Sequence, residues 1–528
     1  MATAPTFTPV PATRADGEGN PPIDMNNTSN ELAAIGATYS VMNTAYSGGA
    51  NPNTAADSSA AFAAALAALP GSGGVVLAPA GTFSMQNASA LAMSIPGSHL
   101  VGAGRGATVL QISGSLSAAQ VIAITANFCS VSSLSIVGAS STVTSNPAAN
   151  AIELTGAQFC TIDAEFQYVN GWTIESVGGT AVANTGCRFI NPTGYNCGGG
   201  VHIKGVTGSS FGGQQWITNP HFSQIGTSAT NLDAIMIEDA SDIYISSPDG
   251  AISDVGTGST LHIKGLCTSV FVDDFDLGVF PNGSPNNSVL TIEDSANGSP
   301  SGIHFNTGIL QEALVAATVS GGATRVYFSE TDFANSSTHG VTLSGSGSSI
   351  YFDNCTWRGN GAGASGANYD LNVTSTATGK VRGSRFLTTV TGMGTAGVQA
   401  VVNLSSSGQN IPFVDSDFVG AGVALSTVFQ SNLPAYVRNC KGYNPHGSQA
   451  VTYPGSGTAT TGLHYDSMFY ITAGTAPVSV VKNTAGQGGG AGPTVTIPAN
   501  QLASVFVPAQ ATITPTGATP PIWVVDGL

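Results

Sequence analysis

A short pattern recurs along the chain, two or three polar residues followed by an aromatic. It reads "DAEF" ending at Phe166, "GCRF" at Phe189, "NPHF" at Phe222, "ETDF" at Phe333, "NCTW" at Trp357, "GSRF" at Phe386 and "DSDF" at Phe418. The gaps cluster, with 23 residues from Phe166 to Phe189, 24 from Phe333 to Trp357 and others of 29 to 33. Such a period, with alternating apolar residues and Gly/Asn/Ser turns between copies, suits one coil of a parallel β-solenoid, longer gaps holding loop insertions. One coil cannot bury its inward side chains alone. Stacked coils give them a continuous dry interior and set like residue above like. The recurring aromatics are therefore expected as an internal ladder, and Phe128 and Phe159 ("FCSV", "FCTI") as another, with Cys129 and Cys160 as small stacked fillers.

Composition agrees with a β-rich, turn-rich chain: of 528 residues 68 are glycine and only 8% are charged, against roughly 25% in an average soluble protein. The formal net charge is -16, with 13 Lys+Arg and no basic stripe, which argues against a nucleic-acid partner. The N-terminus lacks the cationic start and apolar core of a signal peptide, and the longest apolar run, Ala60–Leu69, is too short to span a bilayer, so membrane insertion is not expected. Seven cysteines, odd in number, well spread and never in a C-x-x-C pair, read as buried free thiols rather than a disulfide framework or zinc site.

A solenoid must cover its open strand edges. The stretch Ala56–Phe83 is suited to do so, with Asp57 as N-cap, Phe62, Leu66 and Leu69 on one helical face, Pro70-Gly71 as the stop, and a strand from Val75. That helix, the following "GGVVLAPAGTF" and "SHLVGAGRGATVLQISG" (Ser98–Gly114) resemble the cap and first coils of the pectate-lyase-like superfamily of right-handed β-helices, in the version common in phage tailspikes and tail fibres. Near the other end, "VRNCKGYNPHG" (Val437–Gly447) and a Gly/Thr-rich segment closing on "PPIWVVDGL" resemble the junction and C-terminal module of β-helical minor tail proteins of actinobacteriophages. The expected fold is all-β: a right-handed parallel β-helix with an N-terminal capping helix and a small C-terminal β-sandwich-like domain. The expected boundaries are 1–50 for an N-terminal segment, 51–447 for helix and solenoid, 448–462 for a linker and 463–528 for the last domain. The resemblance implies virion attachment through segment 1–50 to other tail proteins, a homotrimer, location in the phage tail, and a host-surface polysaccharide as partner. A polysaccharide depolymerase of the same shape is the alternative.

Charged residues are scarce enough to follow one by one. The strands "VHIKG", "IMIED", "LHIKG" and "LTIED" share Ile203, Ile237, Ile263 and Ile292, spaced by 34, 26 and 29 residues. Stacked coils lie about 4.8 Å apart, so Lys204, Glu238, Lys264 and Glu293 are expected in one outward column of alternating sign. Glu238 and Glu293 would then stand two coils apart, about 9.6 Å, at the upper margin for inverting glycoside hydrolysis and too far for retention. The intervening lysine would hold both ionised, so a register-holding ladder is the better reading.

Asp273, Asp274 and Asp276 in "FVDDFDL", with Asp242, Asp249 and Asp254 one coil earlier, form the densest acidic region. The plainest reading is a solvated acidic turn; the others are a Ca²⁺ site and hydrolytic carboxylates. If the strand stays regular, Asp273 and Asp276 face opposite ways and Asp274 shares a face with Asp276. Of the polygalacturonase motifs only Asp273-Asp274 has a match, and His202-Ile203-Lys204 and His262-Ile263-Lys264 are echoes of another. No cofactor is required by this reading. Trp216 and Trp172, placed in loop-like insertions, and Asp249 are the expected glycan contacts.

Overall fold

In the computed structural model, residues 38–528 are described apart from 87–88, 113–118, 140–149, 180–181, 207–212, 227–231, 254–257, 281–287, 362–367, 388–400, 406–409, 419–427, 431–433, 435–436, 442–448, 451–466, 474, 484–490, 508–511, 518–521 and 528. The period predicted from the aromatics is the coil of a right-handed parallel β-helix. One sheet of thirteen strands takes one strand from each coil, from Leu91–Met93 to Phe429–Gln430, and its neighbours pair in parallel. The other sheet, of 22 strands, folds round a corner so that a coil usually lends it two strands. In the coil Thr268–Phe280 both limbs belong to one long strand, which pairs with Ser241–Ser246 on the first limb and Asp249–Ser253 on the second.

The corner has a local cause. Asn191, Asn219, Ser247, Asp274, Thr307, Glu330 and Asn354 all have φ between 45° and 55°, a left-handed conformation that breaks the two-residue alternation. Polar residues tolerate it and bond up the stack: Asn219 Nδ2 donates to Asn191 Oδ1 at 3.2 Å and Ser247 Oγ to Asp274 Oδ2 at 3.0 Å.

Inside the helix the aromatics stack as the repeat predicts, in two columns rather than one. Phe333, Trp357 and Phe386 lie in register on the second limb, with centroids 5.1 and 4.5 Å apart. Phe189 belongs to the first limb, in the column that continues through Ile217, Ile245, Val272, Phe305, Phe328 and Phe352. Phe128 and Phe159 depart from the expected interior ladder. They stack at 5.3 Å but are 56% and 52% exposed, because both sit at φ near 60° and turn outward, whereas Cys129 and Cys160 point in. The next residue of that column is Gly186, at φ 70°, where a Cβ would lie 2.3 Å from the Phe159 ring. Gly186→Ala is expected to cost more than about 1 kcal/mol, read as a lower thermal midpoint; an unchanged midpoint would contradict this packing.

The helix Ser59–Ala67 buries Phe62 and Leu66 in the same core, Phe62 meeting Phe83 edge-on at 5.3 Å. Ser58 is the N-cap residue by backbone. Asp57, one residue earlier, supplies the acceptor through Oδ1, which takes bonds from the Ser59 N–H at 2.9 Å and its hydroxyl at 2.6 Å. Thr38–Ser40, inside the segment 1–50, pairs with Gly74–Ala78, and Val41 and Ala50 enter the solenoid core; residues 1–37 lie outside the described part. At the far end, Ser467–Thr472, Leu502–Val507, Ile522–Gly527 and Gln449–Ala450 form one antiparallel sheet, and Val478–Asn483, Ala491–Ile497 and Thr512–Thr516 another. The two share a second core of Phe469, Ile471, Val478, Val480, Ile497 and Ile513. The stretch Thr452–Gly462, read as linker, is outside the described residues.

All seven cysteines are free, six buried and Cys440 half-buried. Burial pushes the thiols of Cys197, Cys267 and Cys355 up to about 12. Treatment of the native protein with a thiol reagent is expected to label at most Cys440 before unfolding; rapid labelling of several would contradict the packing.

Candidate functional site

The structure sets Lys204, Glu238, Lys264 and Glu293 in one register on the thirteen-strand sheet. Each glutamate pairs with the lysine of the coil before it, Lys204 Nζ to Glu238 Oε2 at 3.1 Å and Lys264 Nζ to Glu293 Oε1 at 3.5 Å. Two histidines thicken this ladder. His202 lies between Glu175 (3.0 Å) and Glu238 (3.3 Å), and His262 between Asp233 (3.0 Å) and Glu293 (3.3 Å). The "HIK" strands therefore build two copies of one acid–His–Glu–Lys arrangement. Burial alone would lower the His202 pKa, but the Glu175 and Glu238 carboxylates outweigh it and raise it; Asp233 does the same for His262. The His202 bond, then Lys204, hold Glu238 down at about 2 against burial. A carboxyl so acidic cannot act as a general acid near neutrality.

Trp172 lies on the same sheet, in register with Gly199 rather than in the Lys–Glu column. It opens the strand Trp172–Val177 rather than sitting in a loop, is 8% exposed, and packs its ring 4.8 Å from His202. This corrects the expected glycan contact, since the ring is spent covering the buried imidazole.

The acidic stretch is divided by the corner. Asp274 holds the left-handed position and bonds Ser247, which makes it a corner residue. Asp273 and Asp276, flanking the break, are both exposed, on the first and second limb respectively, so the facing expected of a regular strand does not hold. Asp276 stacks directly on Asp249, and Asp249 on His221. His221 Nδ1 and Asp249 Oδ2 are 2.9 Å apart, and Gln311 Nε2 donates to Asp276 Oδ1 at 2.9 Å. These side chains line a concavity of about 340 Å³ floored by Gly250 and Gly278. Asp242 stands at the start of the first limb and Asp254 is outside the described residues. Among the described residues, no group of three or more His, Cys, Asp or Glu is arranged to hold a metal ion.

On the first limb, the residue beside each inward apolar one faces out, and register makes those residues a strip. Trp216, Tyr244, Phe271, His304, Tyr327 and Tyr351 succeed one another coil by coil. Their centroids are 6.0, 5.3, 4.9, 4.7 and 5.0 Å apart and their planes within 16° of parallel. Two residues along, Ser246, Asp273, Asn306, Ser329, Asp353 and Arg382 form a polar column beside the rings. Asn306 Nδ2 donates to Asp273 Oδ1 at 2.7 Å, and Arg382 grips Asp353, with Nε 3.0 Å from Oδ1. Trp216 is thus on the strand Gln215–Thr218 and not in a loop. One of its faces meets Tyr244 and Arg188 lies over the ring at 5.3 Å, so it offers a ligand its edge. Sequence reasoning missed the rest of this strip. Its one signal was an aromatic or histidine beside the inward residue in "IYI", "VFV", "IHF", "VYF" and "IYF".

No protein-family model matches the sequence, and no curated protein matches it. Solved structures do match. The A-module of the mannuronan C-5 epimerase AlgE4 of Azotobacter vinelandii is 14% identical, covering 72% of this chain and 94% of its own, with a TM-score of 0.48. A mutant tailspike protein of E. coli bacteriophage HK620, in complex with a hexasaccharide, is 11% identical, covering 94% of each chain, with a TM-score of 0.45. ORF18 of Geobacillus virus E2 is 14% identical, covering 93% of this chain and 77% of its own, with a TM-score of 0.38. At these identities the likeness is one of fold. Structures similar to this chain thus include a phage tailspike and a mannuronan epimerase.

Proposed function

We propose that this protein binds a glycan of the host surface along the outer strip of the first limb, as a tail fibre or tailspike in a phage virion. The observation that carries the reading is the strip itself, six rings in register flanked by a polar column. An extended polymer laid along the axis meets the same pair of features, ring edge and hydrogen-bonding side chain, about every 4.8 Å. Phenol hydroxyls, amides and carboxylates at the rim suit a ligand rich in hydroxyl groups. The phage setting, a homotrimer and attachment through segment 1–50 rest on the sequence resemblance at Ala56–Phe83, Ser98–Gly114 and Val437–Gly447.

The test is co-sedimentation with host cell-wall polysaccharide. Tyr244→Ala with Tyr327→Ala is expected to weaken binding about tenfold or more, the loss of about 1.4 kcal/mol, while far-ultraviolet dichroism stays unchanged. Equal binding by the variant would remove the strip from the interaction.

The second reading, a depolymerase, is favoured by the concavity at Asp249 and Asp276. The two carboxylates project from adjacent strands, whose spacing of about 4.8 Å is near the separation that retaining glycosidases use. New reducing ends or unsaturated products on incubation with the polysaccharide would support it. Asp276→Asn should then cut the rate by about 10² or more, and Asp274→Asn, at the corner, should leave it within a few-fold. Glycan binding with no product, in any variant, would leave the protein as a binder. A Ca²⁺ at the Asp242–Asp276 region is tested in the same assay by chelation.

A further inference from the structure

The two ends of the ring column differ. At the Trp216 end, the ring carries the Arg188 guanidinium. At the other end Tyr351 stacks on Tyr327 through one face only, and the next coil puts Lys380, not a ring, in register with it. Tyr351 is 36% exposed, and it is the exposed ring of the column; the other five are half-buried. Tyr351, Lys380, Ser329, His304, Asp353 and Arg382 are among the residues that line a concavity of about 340 Å³.

Charge distinguishes this place from the rest of an acidic chain. Among the described residues Lys380 has no ion-pair partner, whereas the neighbouring Arg382 is engaged by Asp353. Outside the pocket lining, the exposed Arg325 guanidinium, two residues before Tyr327, bonds among the described residues the Ser301 hydroxyl, at 3.2 Å from Nε and 2.9 Å from Nη2. His304 adds no charge, since burial first and Arg325 second lower its pKa. In a protein with 13 Lys+Arg and a net charge of -16, the unpaired Lys380 on the lining, beside an Arg382–Asp353 pair whose charges offset, makes this pocket locally positive.

We infer that the Tyr351–Lys380 pocket is the subsite for an acidic sugar of the bound glycan, with the ring stacked on Tyr351 and its carboxylate or phosphate paired with Lys380. The inference rests on the glycan-binding reading and adds the chemical class of the ligand and the place where it is read. Between Trp216 and Tyr327 the strip presents ring edges beside Ser246, Asp273, Asn306 and Ser329, which suit the uncharged parts of the polymer. An anion there stands on Lys380 as a charge-assisted bond, while the apolar face of the sugar ring, and not its anionic group, meets the ring of Tyr351.

The experiment is equilibrium binding of the full-length protein to three probes: an oligouronate, the same oligosaccharide with its carboxyl groups reduced to alcohols, and poly(glycerol phosphate). The oligouronate is expected to bind about tenfold more tightly than its reduced form, to lose that advantage in Lys380→Gln and recover it in Lys380→Arg, and to weaken with added salt. Lys482→Gln, in the C-terminal sheets, is the control and should change nothing. Tyr351→Leu should weaken the oligouronate and its reduced form alike. Binding of poly(glycerol phosphate) that depends on Lys380, without binding of the oligouronate, would overturn the acidic sugar, since that polymer has no ring to stack on Tyr351. Equal binding of charged and reduced oligosaccharide, unchanged in Lys380→Gln, would overturn the inference and leave the glycan reading standing. No binding by any of the three probes, or by the host polysaccharide, would overturn both.

Discussion

Trp357→Ala is expected to destabilise the solenoid by about 3–5 kcal/mol. Trp357 is fully buried, stacked on Phe386 at 4.5 Å and 4° and on Phe333 at 5.1 Å, and it meets Phe352 edge-on at 5.3 Å. Alanine leaves a cavity that neighbouring coils cannot close, because each is tied to the next by backbone bonds in fixed register. In a stack where each coil touches only its neighbours, the loss is local. The urea midpoint of the solenoid should fall, and the amides of the strands His339–Leu343 and Ser349–Asp353 should exchange faster than those near Phe166. Trp357→Phe separates packing from polarity. The indole Nε1 is buried with no hydrogen-bond partner among the described residues, so phenylalanine removes an unmet donor as it removes volume. Its cost should be well under half that of alanine. Equal costs for the two variants would refute the stacking argument.

His202→Gln should have the next largest effect, with a pH signature. The His202 side chain is 7% exposed and stands between Glu175 and Glu238, whose side chains are 18% and 19% exposed. Its folded pKa is raised, so its stabilisation is full below the unfolded value near 6.5 and is lost as pH rises through the folded value. Glu238 runs the other way. Held at about 2, it contributes above its ordinary value and loses that contribution as pH falls towards 2. Stability is therefore expected to peak between the ordinary carboxylate and imidazole ranges. At pH 6 removal of the imidazole should cost about 3 kcal/mol, the low end for unpairing a buried charge, since both glutamates keep some contact with water. His262, with its pKa raised by Asp233, repeats the arrangement two coils on. The double variant His202→Gln, His262→Gln should lose the fall in thermal midpoint that the parent shows as pH rises above the ordinary imidazole value, leaving the opposite trend of His99, His304 and His339, whose pKa values burial lowers. A parallel fall in both would show that the histidines do not couple to folding.

The parallel β-helix was legible in the sequence, and so was much of its interior. Phe333, Trp357 and Phe386 recur at coil length because an in-register stack demands like residues above like, and that demand is written into spacing. The column Lys204, Glu238, Lys264 and Glu293 was legible for the same reason, as each follows an inward isoleucine in an alternating strand. The histidines that complete it were visible as letters, yet nothing in spacing said that His202 would reach Glu175 one coil back and Glu238 one coil on.

What sequence by itself determined is the solenoid's period and its inward face, because burial constrains every coil alike and repetition makes the constraint readable. Outside the Lys–Glu column, tertiary structure decided the outward face. At Phe128, Phe159 and Asp274 a left-handed residue breaks the alternation, so side chains expected inside or on a shared face turn out to water. Trp216, Tyr244, Phe271, His304, Tyr327 and Tyr351 are scattered, unlike residues until register lays one upon the next. Solvent imposes no common pattern on such positions. Their meeting depends on the length of every intervening loop, and only the folded chain performs that sum.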